Sequence, residues 1–232
     1  MDEIRTKGII IDAQDYKEYD KLITIFTLDL GVVKAVIKGV KKSNAKLRFA
    51  GQLLCFADFI LTKRLGMYTV INADLIDSFY EIAYNYDKFL LAVDLIKVVK
   101  FVNKYNPDSS ELFVVFVAIL NVLLKTKVEN NVVYCKFLIE TLKALGYEHE
   151  FCCCEKCRKS NETEFYFEKF SGAILCGGCV RDKSLAITKE MMLYLEKISK
   201  SNYLELEKIL IFEDNSLEML KILQTIFKSN CI

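Results

Sequence analysis

The sequence predicts a multidomain α+β protein: a small N-terminal β-barrel followed by an α-helical domain with an inserted four-cysteine, zinc ribbon-like module. Three observations carry that expectation. Short β-prone runs crowd the first 80 residues, helical periodicity follows them, and two Cys-x-x-Cys pairs, Cys154/Cys157 and Cys176/Cys179, interrupt the helical part. The expected division is a barrel over 1–80, a first helical part over 81–150, the cysteine module over 151–183 and a C-terminal helical part over 184–232.

Runs at 7–13, 22–28, 32–37, 53–62 and 67–73 are rich in β-branched and aromatic residues. Asp29-Leu30-Gly31 marks a turn, and Lys63-Arg64-Leu65-Gly66 suits a hairpin connection. So many short strands suit a small closed or partly open barrel, with a generic small β domain as the alternative. Charge is one-sided here. Lys34, Lys38, Lys41, Lys42, Lys46, Arg48, Lys63 and Arg64 fall between 34 and 64, against Asp58 as the only acid. Gly39, Ser43 and Asn44 mark a loop, so 38–48 reads as a flexible basic loop that neutralises phosphates without reading bases. Phe49, Phe56, Phe59 and Tyr68 are candidates to stack on bases. The plain alternative is a solvated basic edge with core aromatics.

Residues 78–103 have helical spacing, and 103–110 is a break containing the only proline, Pro107. Ser109-Ser110-Glu111 suits a cap for a helix over 111–125 that is apolar on nearly all sides. A further helix spans 132–145, with Gly146 as its terminator. Residues 188–198 read as a helix, and 204–211 as a short segment of uncertain class. A last helix starts at a cap on Asn215 or Ser216 and runs through Phe227. The final helices are expected to pack back on 80–150.

Apolar residues make up 53% of the 232, and 32 basic side chains meet 31 acidic ones, a formal charge of +1. Net charge therefore decides nothing about nucleic acid. Nine cysteines without a signal-peptide pattern suit a reduced, cytoplasmic compartment. The longest apolar run, 112–124, is too short to span a bilayer, so no membrane role is expected.

Tandem Cys-x-x-Cys pairs place two thiolates each on one tetrahedral ion. Cys154, Cys157, Cys176 and Cys179 are the expected ligands of one structural Zn²⁺, with Cys152 and Cys153 as alternatives by count. Four thiolates leave no position for metal-bound water, so metal-assisted hydrolysis is not expected. An iron–sulfur cluster and a redox dithiol are the alternatives. Gly177 and Gly178 allow the second knuckle to turn, and Gly172 marks a turn between two short β pieces. Basic residues around the module (Lys156, Arg158, Lys159, Lys169, Arg181, Lys183) are offset by Glu155, Glu162, Glu164, Glu168 and Asp182, which argues for scaffolding over DNA contact. The single histidine, His149, reads as a surface residue. Asp12, Asp15 and Asp20 could be imagined as a nuclease metal cluster, but a solvated turn explains them. No phosphate-binding Gly-rich loop and no material for a histidine-based triad are present, so no enzyme is expected.

The ordered series Gly8-Ile9-Ile10-Ile11, residues 15–22, residues 24–27, Leu30-Gly31, residues 36–42, Leu47, Arg48, Gln52 and Leu53 resembles the opening of the RecO family of recombinational DNA-repair proteins. Leu145-Gly146-Tyr147 and Phe167-x2-Phe170-Ser171-Gly172-x3-Cys176 continue the match. Lys17 stands where the family usually has a small residue, and Ser171-Gly172 where it usually has Gly-Gly. The resemblance implies an oligonucleotide/oligosaccharide-binding (OB-fold) barrel and then a helical domain. It also implies a non-enzymatic recombination mediator that binds single- and double-stranded DNA, anneals complementary strands and, with RecR, helps load RecA onto strands coated by single-strand-binding protein (SSB). The SSB C-terminal tail is an implied partner, and the location is cytoplasmic and nucleoid-associated. A protein-interaction scaffold with little DNA affinity is the main alternative, and a metal-dependent nuclease a further one.

Overall fold

The computed structural model of the chain describes residues 3–64, 66–107, 110–168, 173–181, 185–209 and 213–231, the side chains of 213–215 and 231 excepted. The chain divides into two compact units, Met1–Leu124 and Lys125–Ile232.

In the first unit, β1 (Glu3–Tyr16), β2 (Asp20–Thr27), β3 (Gly31–Ile37), β4 (Cys55–Arg64) and β5 (Met67–Ser78) pair in the order β1-β2-β3-β5-β4, and β4 returns to β1 to close the ring. β1 serves two neighbours. Its residues 3–9 pair with β4 and 8–16 with β2, with an irregularity between Ile10 and Asp12. Such an extra residue bends a strand and increases its twist, which lets β1 turn from one partner to the other. The seam between β3 and β5 is short and parallel, Ala35↔Tyr68 and Val36↔Thr69. Alternation sends Ile10, Ile23, Ile25, Ala35, Ile37, Ala57, Phe59, Leu61, Val70 and Ala73 into the interior.

The outer face of β2 is also covered. Phe26 meets Phe113 at 5.3 Å and Phe116 at 5.9 Å between ring centroids, and Phe56 meets Phe79 and Phe113. Phe113 and Phe116 come from α2 (Ser110–Lys125), so one apolar face of that helix covers the barrel. The helix expected over 78–103 is instead a 3-10 turn, Phe79–Tyr84, followed by α1 (Tyr86–Tyr105). Asn85 breaks the run, its side-chain oxygen accepting from the Lys88 N–H as an N-cap.

The second unit packs α3 (Asn130–Ala144) against α4 (Lys189–Lys200) and α5 (Glu213–Cys231). Gly146 ends α3 at φ +85°, the Gly146 and Tyr147 N–H groups reaching back to the carbonyls of Lys143 and Leu142. Thr188 caps α4 through the Met191 N–H. Lys136 in α3 is only 3% exposed, yet its Nζ donates to the carbonyls of Ile198, Ser199 and Ser201 and pairs with Glu140. It thus closes the C-terminal end of α4, where a cation also meets the helix dipole favourably. A small antiparallel sheet, β7-β6-β8, is made of β6 (Glu164–Glu168), β7 (Ala173–Cys176) and β8 (Ala186–Thr188).

The fold class expected from the sequence is therefore corrected. The chain is not an OB-fold barrel followed by one helical domain that carries a zinc ribbon-like insert. The unit boundary falls after Leu124: α2 belongs to the barrel's own unit through the Phe26 and Phe56 contacts, and α1 through the Asn103–Val32 hydrogen bond. Among the described residues, the cysteine pairs are not a separate module. They border a three-stranded sheet whose last strand runs directly into α4.

Smaller expectations also shift. Ser216 lies inside α5 rather than at its start and is buried, its hydroxyl accepting from Asn131. Lys63 and Arg64 extend β4 rather than forming the hairpin connection. The expected roles of Leu65, Ser109 and Gly172 lie outside the described residues, as do Phe170, Ser171, Leu210 and Ile211. Among the described residues, no helix is long and apolar enough to cross a membrane.

Candidate metal centre and candidate nucleic-acid interface

The sulfurs of Cys154, Cys157, Cys176 and Cys179 all lie within 4.8 Å of one another. Local backbone geometry puts them there. Arg158 N–H donates to the Cys154 carbonyl, and the Cys179 and Val180 N–H groups donate to the Cys176 carbonyl, so each pair sits on a tight turn. β7 carries Cys176, and the Glu155 N–H bonds to the Ile174 carbonyl, which fastens the first turn to that strand. The Glu155 carboxylate accepts in return from the Ile174 N–H and from His149 Nδ1.

The donor set fits a tetrahedral ion. Thiolates about 2.3 Å from such an ion stand about 3.8 Å apart, and Cys157 and Cys176 are 3.6 Å apart. Burial alone raises the Cys154 thiol, but the backbone N–H groups of Cys157, Cys176 and Lys156, with the Cys157 thiol, outweigh it and pull Cys154 down to about 6. Cys179 is pushed up to about 12, chiefly by its contact with the Cys157 sulfur. The cluster thus favours one thiolate already, and an ion would deprotonate the rest. Cys152 and Cys153 stand outside this group.

His149 is not a surface residue. Its side chain is 7% exposed, and Nε2 is buried without a hydrogen-bond partner among the described residues. The ring is held inward by Glu155, six positions later. Of the charges weighed around the module, Lys169, Asp182 and Lys183 lie outside the described residues.

On the first unit, Lys34, Lys38, Lys41, Lys42, Lys46, Arg48, Lys63 and Arg64 are all exposed. Residues 38–51 do not form a free loop. The Lys41 N–H donates to the Tyr19 carbonyl, the Gly39 N–H to Asp20 Oδ1, and Lys21 Nζ to the Gly51 carbonyl. The basic segment is therefore docked on the β1–β2 turn. Lys34, Lys63 and Arg64 lie beside the β3–β5 seam, with Lys63 Nζ 5.3 Å from the Tyr68 ring. Lys41 is partly neutralised by Asp15 at 2.7 Å.

The aromatics expected to stack on bases are mostly elsewhere. Phe59 is fully buried, Phe56 packs on Phe79 and Phe113, and Phe49 lies partly buried against the barrel core. The exposed rings beside the basic segment are Tyr16 and Tyr19, 40% and 45% exposed, with Lys17 over the first and Lys42 over the second. Their place at the β1–β2 turn, opposite the lysines, was the signal available for them. The three acids weighed as a nuclease cluster point to separate partners: Asp12 to Lys100, Asp15 to Lys41, Asp20 to the Gly39 N–H. Among the described residues they form no metal-holding group.

Comparison with known proteins decides the family. The profile described as "Recombination protein O N terminal" matches residues 1–79, and "Recombination protein O C terminal" matches 84–230. The chain belongs to the RecO family. "DNA repair protein RecO" of Acetivibrio thermocellus is 31% identical over 187 residues, which is 81% of this chain and 74% of that one. The protein of the same description from Caldicellulosiruptor saccharolyticus is 27% identical over 227 residues, 98% of this chain and 92% of that one. That of Clostridium perfringens is also 27% identical, over 97% of this chain and 92% of its own. This RecO-family chain thus has a general role in DNA repair and recombination as a mediator, and it is not an enzyme.

Proposed function

We propose that the chain binds single- and double-stranded DNA through its first unit and anneals complementary strands. With RecR it promotes loading of RecA onto SSB-coated single strands, and it also engages the SSB C-terminal tail. The observation that carries the DNA contact is the docked segment 38–51. It presents Lys38, Lys42, Lys46 and Arg48 to solvent beside the exposed rings of Tyr16 and Tyr19. Fixed cations track phosphates and exposed rings stack on bases without sequence preference, which is the pairing expected of a single-strand binder. Lys34, Lys63 and Arg64 extend the same basic surface, and Lys41 contributes less because of Asp15. The cysteine cluster holds one structural Zn²⁺, whose borderline-soft character suits four thiolates.

The test is annealing of labelled complementary oligonucleotides with the double variant Lys42→Glu, Lys46→Glu. Annealing is expected to fall with DNA affinity, and unchanged annealing rejects this surface. A second reading, a protein-docking platform with little DNA affinity, is favoured by Ile71 and Leu75 on β5, each 50% exposed. Failure to bind DNA at low salt, with RecR binding intact, selects that second reading.

A further inference from the structure

Beside the four-cysteine cluster, Glu150, Cys152 and Cys153 bring one carboxylate oxygen and two sulfurs within 4.8 Å of one another. The two sulfurs are 3.7 Å apart, and Cys153 Sγ lies 3.6 Å from Glu150 Oε2. A tetrahedral ion with thiolates at about 2.3 Å and a carboxylate oxygen at about 2.1 Å has edges of about 3.8 Å and about 3.6 Å. Two of the three observed separations match these edges, and the third, from Cys152 Sγ to the Glu150 carboxylate, lies within 4.8 Å. We propose that Glu150, Cys152 and Cys153 form a second metal site, taking one thiophilic divalent ion of the Zn²⁺ or Cd²⁺ kind.

The surroundings supply what such a site needs. Glu150 and Cys152 line a cleft of about 510 Å³ together with His149, Lys143, Glu196 and Lys200. The fourth coordination position therefore opens towards the cleft, where water or an exogenous ligand completes it. His149 also lines that cleft, with a buried Nε2 that no described protein atom satisfies. Charge balances as well. Two thiolates and one carboxylate around a divalent ion leave one negative charge, and Arg158, which pairs with Glu150, supplies the positive one. Because that pair is exposed on both sides, the ion competes with a weak, screened contact rather than a buried one. Binding releases the two thiol protons. Two sulfur donors select against Mg²⁺ and Ca²⁺, which take oxygen ligands. Fewer thiolates make this the weaker of the two sites, filled after the four-cysteine cluster.

The test uses the full chain, stripped of metal, kept reduced with a phosphine and titrated with ¹¹³Cd²⁺ under NMR observation. Wild type is expected to show a four-sulfur resonance filling at the first equivalent and a second resonance, from a two-sulfur and oxygen environment, filling towards two equivalents. Cys152→Ser, at an exposed position, is expected to lose the second resonance and one equivalent, leaving the first unchanged. Glu150→Gln is expected to weaken the second resonance alone. Saturation of wild type at one equivalent overturns the proposal, as does retention of two equivalents in Cys152→Ser. Loss of the four-sulfur resonance in Cys152→Ser overturns it too, by making that residue a ligand of the first cluster.

Discussion

Replacing Lys38, Lys42, Lys46 and Arg48 together by alanine tests the proposed DNA surface quantitatively. All four are exposed, and among the described residues none has a carboxylate within ion-pair distance, so each is free to neutralise a phosphate. On a single strand, each phosphate contact adds about 0.7 to the steepness of log affinity against log salt. Four lost contacts therefore flatten that slope by about 2.8. Between about 50 and 200 mM salt, wild type should lose about 50-fold more affinity than the variant. Fluorescence anisotropy of a labelled oligothymidylate, titrated at a series of salt concentrations, reads the slope directly. A slope that changes by less than about 0.7, one contact's worth, refutes the assignment. Lys41→Ala alone should change it less than Lys42→Ala alone, because Asp15 already screens Lys41.

Three further outcomes follow from the second unit. Lys136→Met should cost at least about 4 kcal/mol, since three carbonyls at the end of α4 lose a charged donor worth about 1.5 kcal/mol or more each while the apolar stem stays packed. Urea unfolding checks it, and a loss under about 1 kcal/mol counts against the cap. Burial first and Glu140 second push the Tyr203 phenol up to about 12, so its stabilising contribution is intact below about pH 10 and is lost as pH rises through about 12. Tyr203→Phe should flatten that alkaline decline, and a wild-type-minus-variant tyrosinate absorbance titrating near about pH 10 contradicts the shift. Cys176→Ser should lose metal and thermal stability together, because ligand binding and folding are one free energy in such clusters. One equivalent of zinc retained with an unchanged melting curve sinks that expectation.

Much of this architecture is written in local chemistry. The β-branched runs at 22–28 and 32–37 fall within one or two residues of β2 and β3. The Cys-x-x-Cys spacing named the four sulfurs that meet, and Gly146 named the end of α3. What stayed hidden depends on partners distant in sequence. β1 reads as ending at Ala13 because Asp12, Gln14 and Asp15 are polar, yet it continues to Tyr16 by pairing with β2. Phe56 and Phe59 look like surface aromatics near lysines, and only the register with β5 and the arrival of Phe113 put Phe59 in the interior and half-bury Phe56. Lys136 occupies an ordinary polar place in a helical pattern, and nothing nearby announces the three carbonyls from residues 198–201. Lys17 sits at φ +55°, a left-handed backbone that favours glycine. This supplies a reason for the small residue usual there in the family.

The start of β3 is clamped from outside the barrel. Asn103 Oδ1 accepts from the Val32 N–H at 2.8 Å, and a Cβ at Gly31, where φ is +63°, would meet the Pro107 carbonyl at 2.3 Å. With Phe26 and Phe56 seated on α2, this ties the barrel, α1 and α2 into one compact unit. A chain cut where the N-terminal family profile stops, at residue 79, would leave those two rings wet and the clamp missing. The smallest fragment worth expressing for DNA work therefore ends after α2.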